Sequence, residues 1–331
     1  MLRRMLCSAP AAALAILFVT ASAAWAGMGQ PSPGEMGMQG AASPVAQEIQ
    51  KLYDLVNIII VAIAVFVALL LVYVMYRFSE RANPTPSEST HNTLLEVAWT
   101  VVPILILVAI AIPSFRLLHL QYSYPKADIT LKATGYQWYW EHGYPELGFS
   151  FESRMLDDAS REELIAQNIP APRNLAVDNE VIVPVNKVVN VLVTAAPDGV
   201  IHDWTVPSFG SKVDAVPGRV TTTWFKPIVE GMFYGQCSEL CGKDHAFMPI
   251  GVRVVSEATF AAWSDAMKSA AAAGNEAKSE TDKQKRREKL KLKKELLEKA
   301  KGIIHQAALE QAGVRHFAKA DSGKANAAKA Q

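Results

Sequence analysis

Residues 188–195 read VVNVLVTA, and three further short runs share their alternating or β-branched character: ITLKAT at 129–134, TTTWF at 221–225 and IGVRVV at 250–255. Clusters of Pro and Gly separate these runs. Because this pattern is typical of antiparallel strands joined by turns, residues 127–257 are predicted to form an all-β sandwich or barrel. Residues 157–172 (DDASREELIAQNIPAP) fit poorly and are predicted to be an insertion with a short helix.

Two long apolar stretches precede the β region. Residues 55–76 carry no charge, and residues 94–119 are as long and contain Pro103 and Pro113. About 20 apolar residues in a helix cross the hydrocarbon core of a bilayer. Proline is tolerated in such helices where neighbouring groups satisfy the freed carbonyls. The sequence therefore predicts a two-helix transmembrane hairpin that anchors the β domain.

The N-terminus has the layout of a secretory signal peptide. Arg3 and Arg4 precede a short apolar run, and small residues ending at Ala26 follow it, so residues 1–26 are predicted to be removed. An uncleaved signal anchor is the alternative. Residues 27–54 would then be exported, and Arg77 and Arg81 place the loop 77–93 in the cytoplasm. Both termini and the β domain would face the outer side of the membrane.

The overall composition excludes several classes of protein. The 331 residues carry a net charge of +1, which gives no general attraction to nucleic acid, so no nucleic-acid partner is expected. Half of the residues are hydrophobic, which excludes a disordered chain. Three cysteines are too few for a disulfide-rich secreted scaffold.

A cluster of soft metal ligands lies between two strand-like runs. Cys237, Cys241, His245 and Met248 form a C-x3-C-x3-H-x2-M string, and His202 lies 35 residues upstream. Thiolates, imidazoles and a thioether favour copper over magnesium, calcium or manganese. A mononuclear blue-copper site needs one Cys, whereas two bridging thiolates can hold two copper ions. A disulfide between the cysteines and a zinc site remain alternatives, although neither explains the methionine.

Two further residues have both an ordinary and a functional interpretation. Trp138 lies in the string GYQWYWE (135–141), where a continuous strand would put it on the same face as Trp140. Core packing explains most tryptophans, but an exposed one beside a copper loop would form a contact patch for a redox partner. Glu96 lies at the cytoplasmic end of the second apolar stretch, where a carboxylate ordinarily reaches to the interface.

Several blocks of the sequence resemble one known family in the family's own order. They are NTLLEVAWTVVP (92–103), YQWYW (136–140), VDNEVIVPVN (177–186), IHDWTVPSFGSKVDAVPGR (201–219) and FYGQCSELCGKDHAFMPI (233–250). Over residues 93–263 the chain resembles subunit II of the aa3-type haem-copper cytochrome c oxidases. The resemblance implies a cupredoxin-like barrel outside a bacterial inner membrane, anchored by a two-helix hairpin against subunit I.

The resemblance also implies roles for individual residues. Side chains of the binuclear copper A centre would come from His202, Cys237, Cys241, His245 and Met248. Glu239 would add its backbone carbonyl, and its carboxylate would reach a magnesium ion shared with subunit I. Trp138 matches the tryptophan through which electrons enter, and Glu96 the glutamate at the mouth of a proton channel into subunit I. Asp178 and Asp198 lie near acidic positions that help to dock cytochrome c.

The implied function is electron entry into cytochrome c oxidase. Cytochrome c would reduce the copper pair, and subunit I would reduce oxygen to water and pump protons. The implied partners are subunits I and III, cytochrome c and membrane lipid. The absence of a C-x-x-C-H motif argues against a fused haem domain, so an external carrier is needed. Alternatives are a quinol oxidase subunit II, which lacks copper ligands, and a membrane-anchored copper carrier or sensor.

Two parts of the sequence depart from the family pattern or lie outside it. Tyr136 replaces a frequent His, and residues 141–143 read Glu-His-Gly in place of a more usual Ser-Tyr-Glu, which puts the docking patch in question. The tail 258–331 is rich in Ala and Lys, and residues 270–331 hold 15 basic and 8 acidic residues. We expect a solvated charge run with one marginal basic helix, with contact to anionic lipid or an acidic partner as the alternative.

Overall fold

The structure, a computed structural model, describes residues 28–328, with side chains described as far as residue 313. The predicted signal peptide 1–26 lies outside the described residues. Two long helices come first, α1 (Pro44–Arg77) and α2 (Thr93–Gln121), and each is long and apolar enough to span a membrane. Pro103 and Pro113 lie within α2, as predicted.

Capping side chains set the start of both helices. Ser43 Oγ accepts a hydrogen bond from the backbone N–H of Ala46 at 3.0 Å, and a proline follows at the first helical position. Asn92 Oδ1 accepts from the N–H of Leu95 at 3.2 Å. Such caps satisfy backbone donors that have no partner inside the helix. Helix α1 therefore begins well before the predicted boundary at residue 55, because the cap and not the apolar run determines its start.

The region that follows α2 is a sandwich of two five-stranded sheets, with strand orders β3-β2-β1-β5-β8 and β4-β10-β9-β6-β7. The strands are β1 (Ile129–Tyr136), β2 (Tyr139–Tyr144), β3 (Phe149–Ser153), β4 (Val181–Pro184), β5 (Val189–Ala195), β6 (His202–Val206), β7 (Ser211–Ala215), β8 (Thr221–Phe225), β9 (Gly231–Cys237) and β10 (Pro249–Val255). The all-β prediction is confirmed, as is the short helix in the insertion, α3 (Asp158–Ala166).

Strand direction differs in part from the prediction. Most neighbours are antiparallel, but β1 pairs with β5 and β10 pairs with β4 in parallel. Both parallel pairs join strands that are distant in the chain, a relation that local alternation cannot reveal. Large aromatic side chains fill the space between the sheets, and Trp140, Trp204 and Phe225 are completely buried there.

Both ends of the hairpin are fastened to the sandwich. The segment before α1 is hydrogen-bonded to the sandwich, since the carbonyl of Gly29 accepts from the N–H of Tyr234 at 2.7 Å. Ser43 Oγ also donates to the carbonyl of Phe209 at 2.7 Å, so the residue that caps α1 is bonded to the sandwich. At the other end, Trp224 Nε1 donates to the carbonyl of Gln121, the last residue of α2, at 3.0 Å.

The C-terminal region differs from the expected solvated charge run. It forms two helices, α4 (Glu257–Ser279) and α5 (Lys283–Ala328), that pack against each other and against the sandwich. Trp263 of α4 contacts the Tyr144 ring with centroids 5.4 Å apart. Small buried side chains line the helix contact: Ala266, Ala270, Ala273, Ala277, Ala300 and Ala307. Because alanine is small, it lets the two helices approach closely without the large apolar residues that mark an amphipathic pattern.

A buried arginine links α5 to the sheet. Arg253 forms an ion pair with Glu180 and a hydrogen bond with Gln311 of α5. The guanidinium of Arg253 in β10 donates from Nη2 to Glu180 Oε1 at 2.7 Å and from Nη1 to Gln311 Oε1 at 2.9 Å. Gln311 Nε2 donates in turn to the carbonyl of Val254 at 2.9 Å. The Arg253 side chain is almost fully buried, and burial of a charge is tolerated only with such partners.

A buried histidine network crosses the core next to the strand ends. Trp204 Nε1 donates to His142 Nε2 at 3.4 Å, and His142 Nδ1 lies 2.9 Å from Ser153 Oγ. Ser153 Oγ donates its own proton to the carbonyl of Asn179 at 2.7 Å. Every contact is satisfied only when the imidazole is neutral and carries its proton on Nδ1. Burial lowers the pKa of His142 to about 3.

The network predicts a loss of stability in acid. Unfolded histidine titrates near pH 6.5, so between that pH and about pH 3 the unfolded chain binds one proton more than the folded chain. The free energy of unfolding is then complete above pH 6.5 and falls by up to about 1.4 kcal/mol per pH unit below it. We expect the free energy of unfolding of His142→Phe to depend less on pH over this range. The variant also leaves the Trp204 N–H without an acceptor, which lowers stability at every pH. Denaturant unfolding from pH 7 to pH 4.5 tests this, and equal slopes in variant and wild type would contradict it.

Candidate metal centre

The ends of three strands bring the predicted copper ligands together. Strand β9 ends at Cys237, β10 begins at Pro249, and the loop between them carries Cys241, His245 and Met248. His202 opens β6, which pairs antiparallel with β9 so that Trp204 faces Cys237. Although His202 and Cys237 are 35 residues apart in the chain, this pairing brings their side chains together.

The ligand atoms lie within a few ångströms of one another. Cys237 Sγ and Cys241 Sγ are 3.9 Å apart. Cys237 Sγ lies 3.8 Å from His202 Nδ1, and Cys241 Sγ lies 3.5 Å from His245 Nδ1. Met248 Sδ is 3.5 Å from Cys241 Sγ, and the carbonyl oxygen of Glu239 is 3.3 Å from Cys237 Sγ. All five predicted side chains and the predicted carbonyl therefore converge.

This geometry fits two thiolates that share metal ions. A disulfide needs sulfur atoms about 2.05 Å apart, and both cysteines are free here. Two sulfurs bound to one metal at about 2.3 Å each can be separated by at most about 4.6 Å, and the observed 3.9 Å is within that limit. Zinc has no use for a buried thioether, whereas copper accepts one as a weak ligand. The donor set therefore fits copper best.

Burial favours the neutral forms of two of the ligands, Cys241 and His202. Cys237, Cys241, Met248 and His202 are buried, and His245 is half-buried. Burial, followed by the nearby Cys237, raises the pKa of Cys241 to about 12. Burial, followed by His245, lowers the pKa of His202 to about 4. The Cys241 thiol therefore holds its proton at neutral pH until a metal cation displaces it.

Supporting residues that the sequence did not reveal hold the ligands in place. Trp140 Nε1 donates to the carbonyl of Met248 at 3.2 Å, and its ring meets the His202 ring edge to face with centroids 5.9 Å apart. Gly135 leaves room for the same imidazole, because a Cβ there would lie 2.8 Å from His202 Cδ2. The chain distance between these residues and the ligands hides their role from any local pattern.

Trp138 lies beside the metal-ligand loop. It is half-buried in the turn between β1 and β2, and its Nε1 donates to the carbonyl of Cys241 at 3.1 Å. The expectation that Trp138 and Trp140 share a strand face is wrong, because the chain turns after Tyr136 and only Trp140 enters the core. Gly242, at φ +123°, permits the close approach, since a Cβ there would lie 2.9 Å from the Trp138 ring.

The surface around Trp138 is partly apolar. Leu240 is 78% exposed and Phe247 is 44% exposed, and both lie in the loop that carries the ligands. Lys243 Nζ lies 5.2 Å from the centroid of the Trp138 ring. The Trp138 indole, which is hydrogen-bonded to the ligand residue Cys241, therefore lies beside an exposed apolar patch of the kind that forms protein–protein contacts.

The remaining predicted site residues lie outside the cluster. Glu96 is in the first turn of α2, where its carboxylate accepts from the N–H of Asn92 at 3.2 Å. The 29-residue helix α2 separates it from the sandwich by about 40 Å. Asp178 is exposed, and its carboxylate accepts from the N–H groups of Arg154 and Asn179 at 2.7 Å. Asp198 is exposed in the turn before β6, and the Glu239 side chain is exposed in the ligand loop.

Comparisons with known proteins agree with this architecture. Residues 129–255 match the family described as cytochrome c oxidase subunit II, periplasmic domain, and residues 31–117 match its transmembrane domain. Cytochrome c oxidase subunit 2 of Cereibacter sphaeroides is 50% identical over 248 residues, which cover 71% of this chain and 81% of that protein. A probable cytochrome c oxidase subunit 2 of Rickettsia bellii is 46% identical over 250 residues, which cover 75% of this chain and 90% of that protein.

A solved structure with a similar sequence is the periplasmic domain of subunit II of cytochrome oxidase from Bradyrhizobium japonicum. It is 56% identical, with a TM-score of 0.39, and covers 44% of this chain and 96% of that one. The two family matches together span most of the chain between residue 31 and residue 255. The transmembrane-domain match covers α1 and most of α2, the periplasmic-domain match covers the ten strands of the sandwich, and the chain belongs to the cytochrome c oxidase subunit II family.

Proposed function

We propose that this chain is the electron-entry subunit of its oxidase. It accepts electrons from cytochrome c at a binuclear copper A centre and passes them to subunit I, which reduces oxygen to water and pumps protons. The observation that carries the proposal is the approach of Cys237 Sγ to 3.9 Å from Cys241 Sγ, with one imidazole beside each sulfur.

Each ligand has a separate task in this proposal. Cys237 and Cys241 would hold the copper pair through their thiolates, His202 and His245 would each contribute an imidazole nitrogen, and Met248 would supply a weak thioether ligand. The carbonyl of Glu239 completes the set. A copper pair held in this way supplies a one-electron carrier in which the electron is shared over both metals. Because rigid strand ends position these residues, little of the protein has to move when the electron arrives or leaves.

Trp138 is proposed as the point of electron entry. Its indole N–H bonds directly to the carbonyl of Cys241, so one hydrogen bond and a few covalent bonds connect the ring with a ligand sulfur. The exposed side chains of Leu240 and Phe247 would let a redox partner sit against this end of the sandwich without water between them. Asp178 and Asp198 are proposed to contribute negative charge to the docking of cytochrome c.

Further assignments concern the subunit I side and the membrane. We propose that the exposed Glu239 carboxylate binds a magnesium ion shared with subunit I, and that Glu96 lies at the mouth of a proton channel. Helices α1 and α2 would pack on subunit I in the bacterial inner membrane, with subunit III and lipid as further neighbours. Both termini and the copper domain would then lie on the periplasmic side after removal of residues 1–26.

The two alternative functions fit less well. A quinol oxidase subunit II has no need of five converging copper ligands. A carrier or sensor must release or exchange its metal, whereas Cys237, Cys241 and Met248 are buried and Trp140 holds the backbone of the methionine. Neither alternative gives Trp138 a role in its contact with the ligand loop.

The copper site predicts a defined metal content. Purified protein should hold two copper ions per chain, and its electron paramagnetic resonance spectrum should show one unpaired electron shared by both. Cys237→Ser and Cys241→Ser should each abolish that signal, because a hydroxyl cannot replace a bridging thiolate. Ser238→Ala, between the two ligands in an exposed position, is the matched control and should keep it. One copper, zinc or a disulfide in active protein would reject the site.

The entry point predicts a kinetic defect without a loss of metal. Trp138→Phe removes the N–H that bonds to Cys241 and should slow reduction by cytochrome c about tenfold or more while copper content stays the same. Stopped-flow reduction of the copper band measures this. Trp263 lies in α4, outside the ligand cluster, and serves as the control. In Trp263→Phe the copper site should be reduced by cytochrome c at the wild-type rate. An unchanged rate in Trp138→Phe would remove this residue from the mechanism.

The proton assignment predicts a separation between two rates. Glu96→Ala should lower steady-state oxygen turnover severalfold and leave the rate of copper reduction unchanged, since helix α2 puts about 40 Å between Glu96 and the sandwich that carries the copper ligands. Glu80→Ala, in the predicted cytoplasmic loop 77–93, is the control and should leave both rates unchanged. Equal losses in turnover and copper reduction for Glu96→Ala would argue against a role in proton uptake.

A further inference from the structure

The C-terminal helices enclose a cavity that the electron-transfer function does not use. It has a volume of about 750 Å³ and lies between helices α4 and α5 on one side and the sandwich and α3 region on the other. Among the described residues that line it, there is no copper ligand. Helices α4 and α5 follow the matched family region, which ends at residue 255, so this wall of the cavity is a property of the chain's own tail.

Most of the cavity wall is apolar. Aromatic and aliphatic side chains from four elements contribute to it: Phe149, Phe151, Leu164, Trp263, Met267 and Ile304. Small side chains of α4, among them Ala270 and Gly274, keep the space open. A volume of several hundred cubic ångströms with an apolar wall and a few charged groups is the usual form of a small-molecule site.

The charged groups of the wall leave an excess of positive charge. Arg253 is paired with Glu180, and Lys301 Nζ lies 3.7 Å from Glu298. Asp178, the other acidic group in the wall, accepts two backbone N–H bonds. Arg253 and Lys301 therefore have acidic partners, and the wall as a whole holds five Arg and Lys residues against three Asp and Glu residues.

Three lysines of the wall remain without an acidic partner. Lys278, Lys293 and Lys294 line the cavity, and none has a carboxylate within ion-pair distance in the part of the chain whose side chains are described, residues 28–313. Lys293 is half-buried and lies across α4, because Gly274 has no side chain to exclude it. A Cβ at residue 274 would come within 3.1 Å of Lys293 Cδ and 3.3 Å of its Nζ. The ammonium group is therefore held close to the helix contact, where water is restricted.

We propose that this cavity binds an anionic amphiphile, a single alkyl chain with a carboxylate or phosphate head. The chain would lie along the wall of Phe149, Phe151 and Trp263, and the head would meet Lys293 and Lys294. Each methylene that enters such a wall leaves water at a gain in free energy. The head group would supply the negative charge that the lysines do not obtain from the protein.

Photolabelling of the full-length protein in its oxidase complex, in a neutral detergent, tests the proposal. The probe is palmitate with a diazirine in its chain, followed by digestion and mass spectrometry. We expect saturable labelling of peptides within residues 257–313. Unlabelled palmitate should compete, and hexadecanol, which has the same chain without charge, should not. Labelling that does not saturate, or that maps only to α1 and α2, would overturn the proposal, as would equal competition by hexadecanol.

Matched variants separate the cavity from general basicity of the helix. Lys293→Gln combined with Lys294→Gln should reduce saturable labelling about tenfold, since two charge-assisted contacts are lost. Lys285→Gln combined with Lys299→Gln removes the same charge from α5 outside the cavity wall and should leave labelling unchanged. Equal losses in both double variants would overturn the site.

A lysophosphatidate arm, with one alkyl chain and a phosphate head, identifies the source of the anion. Palmitate that competes at lower concentration than lysophosphatidate would assign a free fatty acid, and the reverse order would assign a phosphate head group from a phospholipid. Copper content and oxidation of cytochrome c, measured on the same samples, should not change in the Lys293 and Lys294 variants. Loss of copper from those variants would overturn the separation of this cavity from the metal centre.

Discussion

The close approach of two buried sulfur atoms is the constraint on which the rest of this structure depends. Cys237 ends β9 and Cys241 lies in the following loop, and their sulfurs stay 3.9 Å apart without a bond. Bringing two thiols, two imidazoles and a thioether into one pocket has a cost in desolvation. The paired strand ends and the aromatic core behind them must offset that cost, and a bound cation offsets more of it.

The same rigidity extends toward the membrane. Ser43 caps α1 and also bonds to Phe209 in the sandwich, while Trp224 holds the last residue of α2. A sandwich joined to two spanning helices by flexible linkers would sample many orientations. Here both connections are hydrogen-bonded, so the position of the helices determines the direction in which the copper ligands face. The proposed electron transfer to a partner in the membrane would need such a fixed distance.

The candidate metal ligands and the two apolar helices could be predicted from the sequence, but the residues that position them could not. Cys237, Cys241, His245 and Met248 lie within twelve residues, and their chemistry restricts the metal directly. Trp140 acts on Met248 through a contact 108 residues apart in the chain, which no local pattern records. Aromatic alternation favours a continuous strand through Trp138, whereas the chain turns after Tyr136 and only Trp140 enters the core.

The tail shows how composition can hide packing. A sequence dense in lysine suggests a solvated helix, since apolar periodicity is the usual sign of burial. In α4 and α5 the contact is made by alanine, which carries little hydrophobic signal yet permits close approach of two helices. Once the helices are fixed in this way, with Arg253 and Gln311 joining α5 to the sheet, the lysines no longer all face open water. Lysines at the edge of a half-open, largely apolar cavity are then the proposed recognition feature, which the same residues on an isolated helix would not be.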